Sequence, residues 1–375
     1  MTPFTRSATL RIQSTSPLPL STPCLYLHIS LHFRYGAYLS KEQVADLVNP
    51  HPDSLELVRA WLVHHGIPPS SISTSHGGSW LTVRDVLVSQ ANQLLGASYQ
   101  IYRHSKTNDR IIRTVGYSLP AVLHSHIRTV APTTYFPSVR GMRQTPRKRS
   151  FGSAPAQAQV ASEKAVTARQ LPGVTPSTVR WLYKTNTYKP KLPYQNTIGV
   201  LGMNEDYPSQ LDLTVFMTKY RSDGTEAGFH VEKVNDGGNN PNILAPTIGG
   251  NFATQYAAAM GYPIPLVFYS VGGNMVWDRD GRPIVTDMFL EWFGNILDDP
   301  SPPPTISIGY REIEQDLPWE YAKSLCDLFA RLGLRGVTVL VASGQEGVGA
   351  GDCVNGHGSV QFIPEFPSSC TCGIL

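Results

Sequence analysis

Leu317-Pro-Trp-Glu-Tyr-Ala-Lys-Ser-Leu-Cys-Asp-Leu-Phe-Ala-Arg-Leu-Gly-Leu-Arg-Gly-Val-Thr-Val-Leu-Val-Ala342 is the stretch on which the fold turns. Leu317–Leu332 reads as one long helix, and Gly336–Ala342 as a strand that is apolar along its length instead of alternating. Such a strand belongs in a sheet covered by helices on both faces, the usual setting of parallel sheets. The same order repeats upstream. Strands are expected at Asn196–Gly202, Phe229–Val234, Ile264–Ser270 and Thr305–Ile308. Helices are expected at Gln210–Tyr220, where Leu211, Val215 and Phe216 are the apolar residues, and at Asn251–Met260 and Asp287–Leu297. Residues 175–375 therefore read as an α/β domain around a mostly parallel sheet, with no internal repeat.

Toward the amino terminus this pattern breaks off. Residues 137–174 hold Arg140, Arg143, Arg147, Lys148, Arg149, Lys164 and Arg169 against one acid, Glu163, amid Ala, Gln, Ser and Pro. That composition cannot bury enough to offset its ordering entropy, so a solvated basic linker is expected. Arg147-Lys148-Arg149 within it is what basic-specific processing proteases favour. Residues 34–136 are patterned again, as a compact α+β unit. Ser40-Lys-Glu-Gln43 is a capping box before a helix with Val44, Leu47 and Val48 on one face, broken by Pro50 and Pro52. Asp53 is expected to cap a second helix striped by Leu55, Val58, Trp61 and Leu62 and closed at Gly66. Thr82-Val-Arg-Asp85 is expected to open a third, striped by Val86, Leu87, Ala91, Leu94 and Leu95 and ended by Gly96. Strands are expected at Ile72–Ser75, Tyr99–Arg103 and Ile111–Tyr117. Residues 1–33 read as irregular.

Composition narrows the function. Of 375 residues, 41% are apolar and 16% charged, enough for a buried core and for two domains. A net charge of +3 is too near neutral to imply nucleic acid or an acidic membrane surface. No run of 18 apolar residues is present, which excludes a spanning helix by the usual length rule. The first 34 residues scatter Ser, Thr and Pro, and His28 interrupts Cys24-Leu-Tyr-Leu27, so no signal peptide is read. The cysteines are Cys24, Cys326, Cys353, Cys370 and Cys372. Cys370-x-Cys372 lacks the spacing of a zinc knuckle, and only His357 is near as another soft ligand. Disulfides of a secreted protein are the better reading than free buried thiols, with the connectivity open.

Several familiar chemistries fail on context. Ser343-Gly-Gln-Glu-Gly-Val-Gly-Ala-Gly351 follows a buried strand, as a phosphate cradle would. No helix opens at its last glycine and no Lys-Ser/Thr pair follows, so neither dinucleotide nor P-loop binding is expected. His64, His65, His124 and His126 have no partners at metal-ligand spacing, and no G-x-S-x-G elbow occurs.

Arg34-Tyr-Gly-Ala-Tyr-Leu-Ser-Lys-Glu-Gln-Val-Ala-Asp-Leu-Val48, continuing into Ala60-Trp-Leu-Val-His-His-Gly-Ile67, resembles the activation pro-domain of the sedolisin family. These are the serine-carboxyl peptidases, including kumamolisins and tripeptidyl peptidases. Trp80-Leu-Thr-Val83, Tyr99 and Tyr117-Ser-Leu-Pro120 fit the same pro-domain. The likeness continues through Thr175-Pro-Ser177, Leu182-Tyr183, Asn251 with Gln255-Tyr256, Tyr269-Ser-Val-Gly-Gly273, Gly333-Leu-Arg-Gly336 and Phe366-Pro-Ser-Ser-Cys370. It covers roughly residues 34–136 and 175–370 and points to fungal, secreted members, hence to an extracellular location. The resemblance implies a subtilisin-like α/β core, here incomplete, preceded by a ferredoxin-like pro-domain.

Members of this family use a Ser–Glu–Asp triad, with the Glu one helical turn before the Asp that orients it. A further Asp in a Ser-Gly-Asp-Ser-Gly loop serves the oxyanion. Carried onto this sequence, the base position falls on Gly249, the orienter on Ala253 and the oxyanion acid on Gln345. The Gln345 amide remains a donor; one such donor in subtilisin is worth about 2.7–4 kcal/mol. The family's Gly-Thr-Ser nucleophile and its calcium site both fall after Leu375, so no cofactor is expected in this chain. Glu205, Asp206, Asp212 and Asp236 are expected on other loops and helices, out of reach as a replacement base. The resemblance thus implies a peptidase homologue that is catalytically inactive. A polypeptide substrate is one partner that it implies. The other reading is a binding or regulatory protein whose pro-domain docks on an active relative, inhibiting it or assisting its folding. An incomplete gene product is a third. Loss of the nucleophile helix is further expected to bare Val337, Val339 and Val341, leaving this chain, expressed alone, poorly soluble or partly unfolded.

Overall fold

The computed structural model describes residues 7–14, 36–75, 78–103, 105, 110–136, 174–203, 206–239, 247–272, 276–277, 283–284, 287–344 and 362–370. Apart from Val174, the expected basic linker lies outside the described residues. So do Gln345, Glu205, His357, Cys24, Cys353 and Cys372.

The first unit is built from β1 (Ser7–Ser14), α1 (Lys41–Val48), α2 (Pro52–His64), β2 (Ile72–Ser75), β3 (Trp80–Leu87), α3 (Val88–Leu95) and β6 (Ile127–Ala131). The four strands form an antiparallel sheet in the order β2-β3-β1-β6. With α2 between β1 and β2, and α3 between β3 and β6, this is the split βαβ plan of the ferredoxin-like fold. β1 corrects one expectation, for it lies inside residues 1–33, which read as irregular, yet it is a central strand. Leu10 and Ile12 are its buried pair, packed with Leu81, Val83, Val130 and the inner faces of α2 and α3. The small sheet of β4 (Gln100–Arg103) and β5 (Arg110–Arg113) is separate. The strands expected near Tyr99 and Ile111 belong to it, and β6 went unread.

Local chemistry explains the helix starts. The Ser40 capping box is present: its hydroxyl accepts from Gln43 N–H at 3.2 Å, and Gln43 reaches back to Ser40 N–H at 2.9 Å. α2 is capped by His51, whose Nδ1 accepts from Asp53 N–H, and not by Asp53 itself. Thr82-Val-Arg-Asp85 does not open a helix. Its residues continue β3, where Val83 pairs with Leu10 across the sheet, and the helix starts later at Val88. A run of buried apolar residues at strand spacing overrode the cap-like residue order.

The second unit begins with α4 (Pro176–Leu182) and carries the main sheet: β7 (Ile198–Met203), β8 (Phe229–Val234), β9 (Leu266–Val271), β12 (Thr305–Ile308) and β14 (Thr338–Val341). Its order is β14-β12-β7-β9-β8, every neighbour parallel. α5 (Gln210–Tyr220) and α6 (Ile248–Gly261) cover one face, with Leu213, Met217, Ala258 and Ala259 packed on Leu266. α7 (Met288–Ile296) and α8 (Trp319–Leu334) cover the other. Short pairs complete it: β10 (Val276–Trp277) with β11 (Pro283–Ile284), which joins β5, and β13 (Glu312–Ile313) with β15 (Glu365–Phe366). Val337, Val339 and Val341 are 1%, 0% and 9% exposed, inside the cluster formed with α7 and α8. They are not bared, contrary to expectation. Side chains alternate across a strand, and it is Leu340, on the opposite face, that stands 42% exposed.

Cys326 on α8 and Cys370 after β15 form a disulfide, Cα–Cα 5.4 Å. No helix among the described residues is long and apolar enough to cross a membrane.

The two units are packed together. Trp80, Ala131 and Tyr135 join the core cluster of Met288, Trp292, Tyr321 and Leu325, and the Tyr135 and Tyr321 rings stack at 4.7 Å. Val44 and Val48 of α1 meet Ala330 and Leu334 of α8. Leu39 N–H donates to the Leu334 carbonyl at 2.9 Å. Beside it, Tyr38 lies on Gly336, where a Cβ would fall 2.6 Å from the ring, so only glycine admits this approach. Arg11 pairs with Glu291 at 2.7 Å, nearly buried on both sides, and Arg128 pairs with Asp327. Lys41 and Asp298 form a more exposed pair at 3.6 Å, of a kind worth about 0–1 kcal/mol.

Candidate active site

In an open parallel sheet, chemistry collects beyond the carboxyl ends of the strands. Here those ends are Met203, Val234, Val271, Ile308 and Val341. The first turn of α6 abuts the end of β7. Thr247 caps it, accepting from Gly250 N–H at 3.2 Å, and Asp206, just past β7, accepts from the same N–H at 2.9 Å. A carboxylate at a helix start is favoured by the orphan amides and the helix dipole. Gly249 is buried in this turn and Ala253 half-buried one turn on. The fold therefore brings the two expected positions together on one helix, and neither carries a group that moves a proton.

The neighbouring acids serve as acceptors for fixed amides. Tyr310 stands behind Asp206, its hydroxyl 3.2 Å from Oδ2, while Met203 N–H donates to that hydroxyl at 2.6 Å. Burial, and then the Asp206 charge, push the Tyr310 phenol far above its ordinary range, so it stays a neutral donor. Asp212, in the first turn of α5, accepts from the Asn251 side-chain NH2 at 2.6 Å. The Asn251 carbonyl oxygen takes Ser209 N–H at 2.8 Å, so this side chain ties the start of α5 to α6. Asp236 sits in the exposed turn after β8. Asp206 was placed away from the base position in the sequence reading; the structure sets it against the first turn of α6, bound to Gly250.

On the far side, Ser343 is exposed after β14 and Gly344 takes φ +87°. Gln345, the expected oxyanion position, lies outside the described residues. Glu365 occupies the space over Gly344: a Cβ there would lie 1.8 Å from Glu365 Oε2. Its other oxygen pairs with Arg311. This buried carboxylate went unread, although a lone acid within Phe362-Ile-Pro-Glu-Phe-Pro367 was the available signal.

The histidines take structural partners: His126 Nδ1 meets Ser54 Oγ at 2.8 Å, and His65 Nδ1 the Trp61 carbonyl at 2.9 Å. Among the described residues no group of three or more His, Cys, Asp or Glu is placed to hold a metal ion.

Residues 25–136 match the family described as Pro-kumamolisin, activation domain. Over 353 residues the chain is 28% identical to tripeptidyl-peptidase SED2 of Arthroderma otae, covering 90% of this chain and 57% of that protein. Over 356 residues it is 30% identical to a probable tripeptidyl-peptidase SED3 of Trichophyton verrucosum, with the same coverage. The chain thus spans a little over half the length of these relatives. A solved Pseudomonas sedolisin, a serine-carboxyl proteinase complexed with two molecules of pseudo-iodotyrostatin, aligns over 54% of this chain and 53% of its own. Its TM-score is 0.38 at 16% identity, a likeness too loose to carry any argument.

Proposed function

Because this chain belongs to the sedolisin family of serine-carboxyl peptidases, we propose that it is a peptidase homologue that does not itself hydrolyse peptide bonds. The observation that carries this reading is the first turn of α6. By the motif correspondence Gly249 and Ala253 take the places of the family's base and orienting acid, both lie on this helix, and the adjacent Asp206 and Asp212 are held as acceptors of fixed amide donors. A general base must reach the proton it removes, and a carboxylate locked onto a helix N-terminus is held away from that task. The test is incubation of the full chain with unblocked tripeptide reporters between pH 3 and pH 6. Turnover no greater than that of a boiled sample is expected, and reproducible turnover above it refutes the reading.

A second reading is supported by the docking surface of the first unit. Val44 and Val48, Trp80, Tyr135, Arg11 and Arg128 all bind its own second unit. The same surface is suited to an active relative, as an inhibitor or a folding aid. Inhibition of a purified active tripeptidyl peptidase by the first unit, expressed from Met1 to Phe136, is the measurement, and an unchanged rate removes it. The Cys326–Cys370 disulfide supports export to an oxidising compartment. Recovery of the protein from culture medium rather than cell lysate checks that.

A further inference from the structure

A cavity of about 230 Å³ lies between the two units. Arg113, Tyr117 and residues 129–135 line it from the first unit, and Asp287 and residues 318–321 from the second. The Arg113 guanidinium is buried, with Nε donating to the Tyr135 carbonyl at 2.6 Å and Nη1 to the Ile112 carbonyl at 2.8 Å. Its Nη2 is buried and has no acceptor among the described residues. A buried guanidinium edge without an acceptor is costly, and a carboxylate is its best-matched partner.

The rest of the lining specifies more than an anion. Asp287 Oδ1 accepts from Leu290 N–H at 3.2 Å, and Oδ2 from the Tyr321 hydroxyl. Each carboxylate oxygen keeps a second acceptor position. Glu320 stands exposed at the rim. Pro132, Pro318, Tyr117 and the largely exposed Trp319 give the lining an apolar wall, beside the hydroxyls of Thr129, Thr133 and Thr134. One cation, two acids and an apolar wall within a space below the ~300–1,000 Å³ of pockets for drug-sized ligands suit a small zwitterion. We propose that this cavity binds a free L-amino acid with an apolar side chain, its carboxylate on Arg113 and its ammonium toward Asp287 and Glu320. Because both units supply the walls, the ligand binds only the docked arrangement and stabilises it by mass action. None of this rests on the hydrolytic machinery or on its loss.

The test uses the full chain, by calorimetry and thermal unfolding, with L-leucine as probe. Saturable binding and a raised Tm are expected with L-leucine. Leucinamide, which lacks the carboxylate, and N-acetyl-L-leucine, which lacks the ammonium, are each expected to bind about tenfold or more weakly, since each loses a charge-assisted contact. Arg113→Gln is expected to abolish binding; as it also disturbs two backbone contacts, its folding is checked by circular dichroism. Glu320→Gln, at the exposed rim, is the variant that leaves the fold intact, and it is expected to weaken L-leucine severalfold. No saturable heat with L-leucine, or binding of either derivative as tight as the parent, overturns the proposal.

Discussion

Asp287 caps α7, takes a hydrogen bond from Tyr321 and lies fully inside the joint between the units. Burial raises its carboxyl pKa above the ordinary 3.8, and the hydrogen bonds and the charges of Arg11 and Arg113 offset only part of that. A raised folded value means the native state holds the proton to higher pH than the unfolded chain. The stabilisation is therefore complete below the ordinary aspartate range and is lost as pH climbs through the folded value. Asp287→Asn removes the titration while keeping an acceptor for Leu290 N–H. The variant is expected to gain on the wild type as pH rises above the ordinary aspartate range, read as urea midpoints; a difference that does not change with pH contradicts the assignment. At the same scale, the assignment of Gly249 and Ala253 to the acid positions rests on ordered motifs along the chain, which need no knowledge of packing. Asp206 and Glu365 were not legible in that way, since their importance lies in which backbone amide or glycine they meet, and those partners are 44 and 21 positions away.

Among the elements, β1 has the largest consequence for its length. It pairs with both β3 and β6, and without it the sheet of the first unit splits into a two-stranded piece and a lone strand. Isolated two-stranded pieces are marginal in water. Deleting residues 1–14 is therefore expected to abolish cooperative unfolding of the first unit, whereas a chain starting at Met1 keeps it; a sharp melt from the shortened form sinks this. The disulfide is the second such element. It ties α8 to the segment after β15 across a separation of 44 residues, and a loop of that length is worth about 4 kcal/mol in the chain-entropy treatment. Paired Cys326→Ser and Cys370→Ser substitutions are expected to cost stability of that order by denaturant titration, and a loss below about 1 kcal/mol would show the reduced chain to be already constrained. Helices α5 and α7 and strands β8 and β12 matched their expected spans closely, as their periodicity is local. β3 was misread because a cap-like order and a strand pattern overlap there, and only the pairing of Val83 with Leu10 separates them.

For the molecule as a whole, the joint matters more than either unit's edge. Apolar surface on α7 and α8 is covered partly by the first unit: Ala330 and Leu334 by α1, Met288 and Tyr321 by the Trp80–Tyr135 cluster. Expressed without the first unit, residues 174–375 are expected to bind a hydrophobic dye and to elute as larger species on size exclusion. A monomeric, dye-silent fragment with a cooperative melt refutes this. This prediction concerns a different surface from the valines of β14, which are buried within the second unit itself.

Reading the amino acids in order was sufficient for the parallel sheet and the family. Each of these depends on periodicity or on residues close together along the chain. Tertiary structure alone decided that Ser7–Ser14 is a central strand, that Cys326 joins Cys370, and that Asp206 anchors α6. It also decided that Arg113 and Asp287 face one cavity from separate units. Those are contacts between distant positions, chosen by competition for burial and for hydrogen-bond partners, and no local pattern records the outcome.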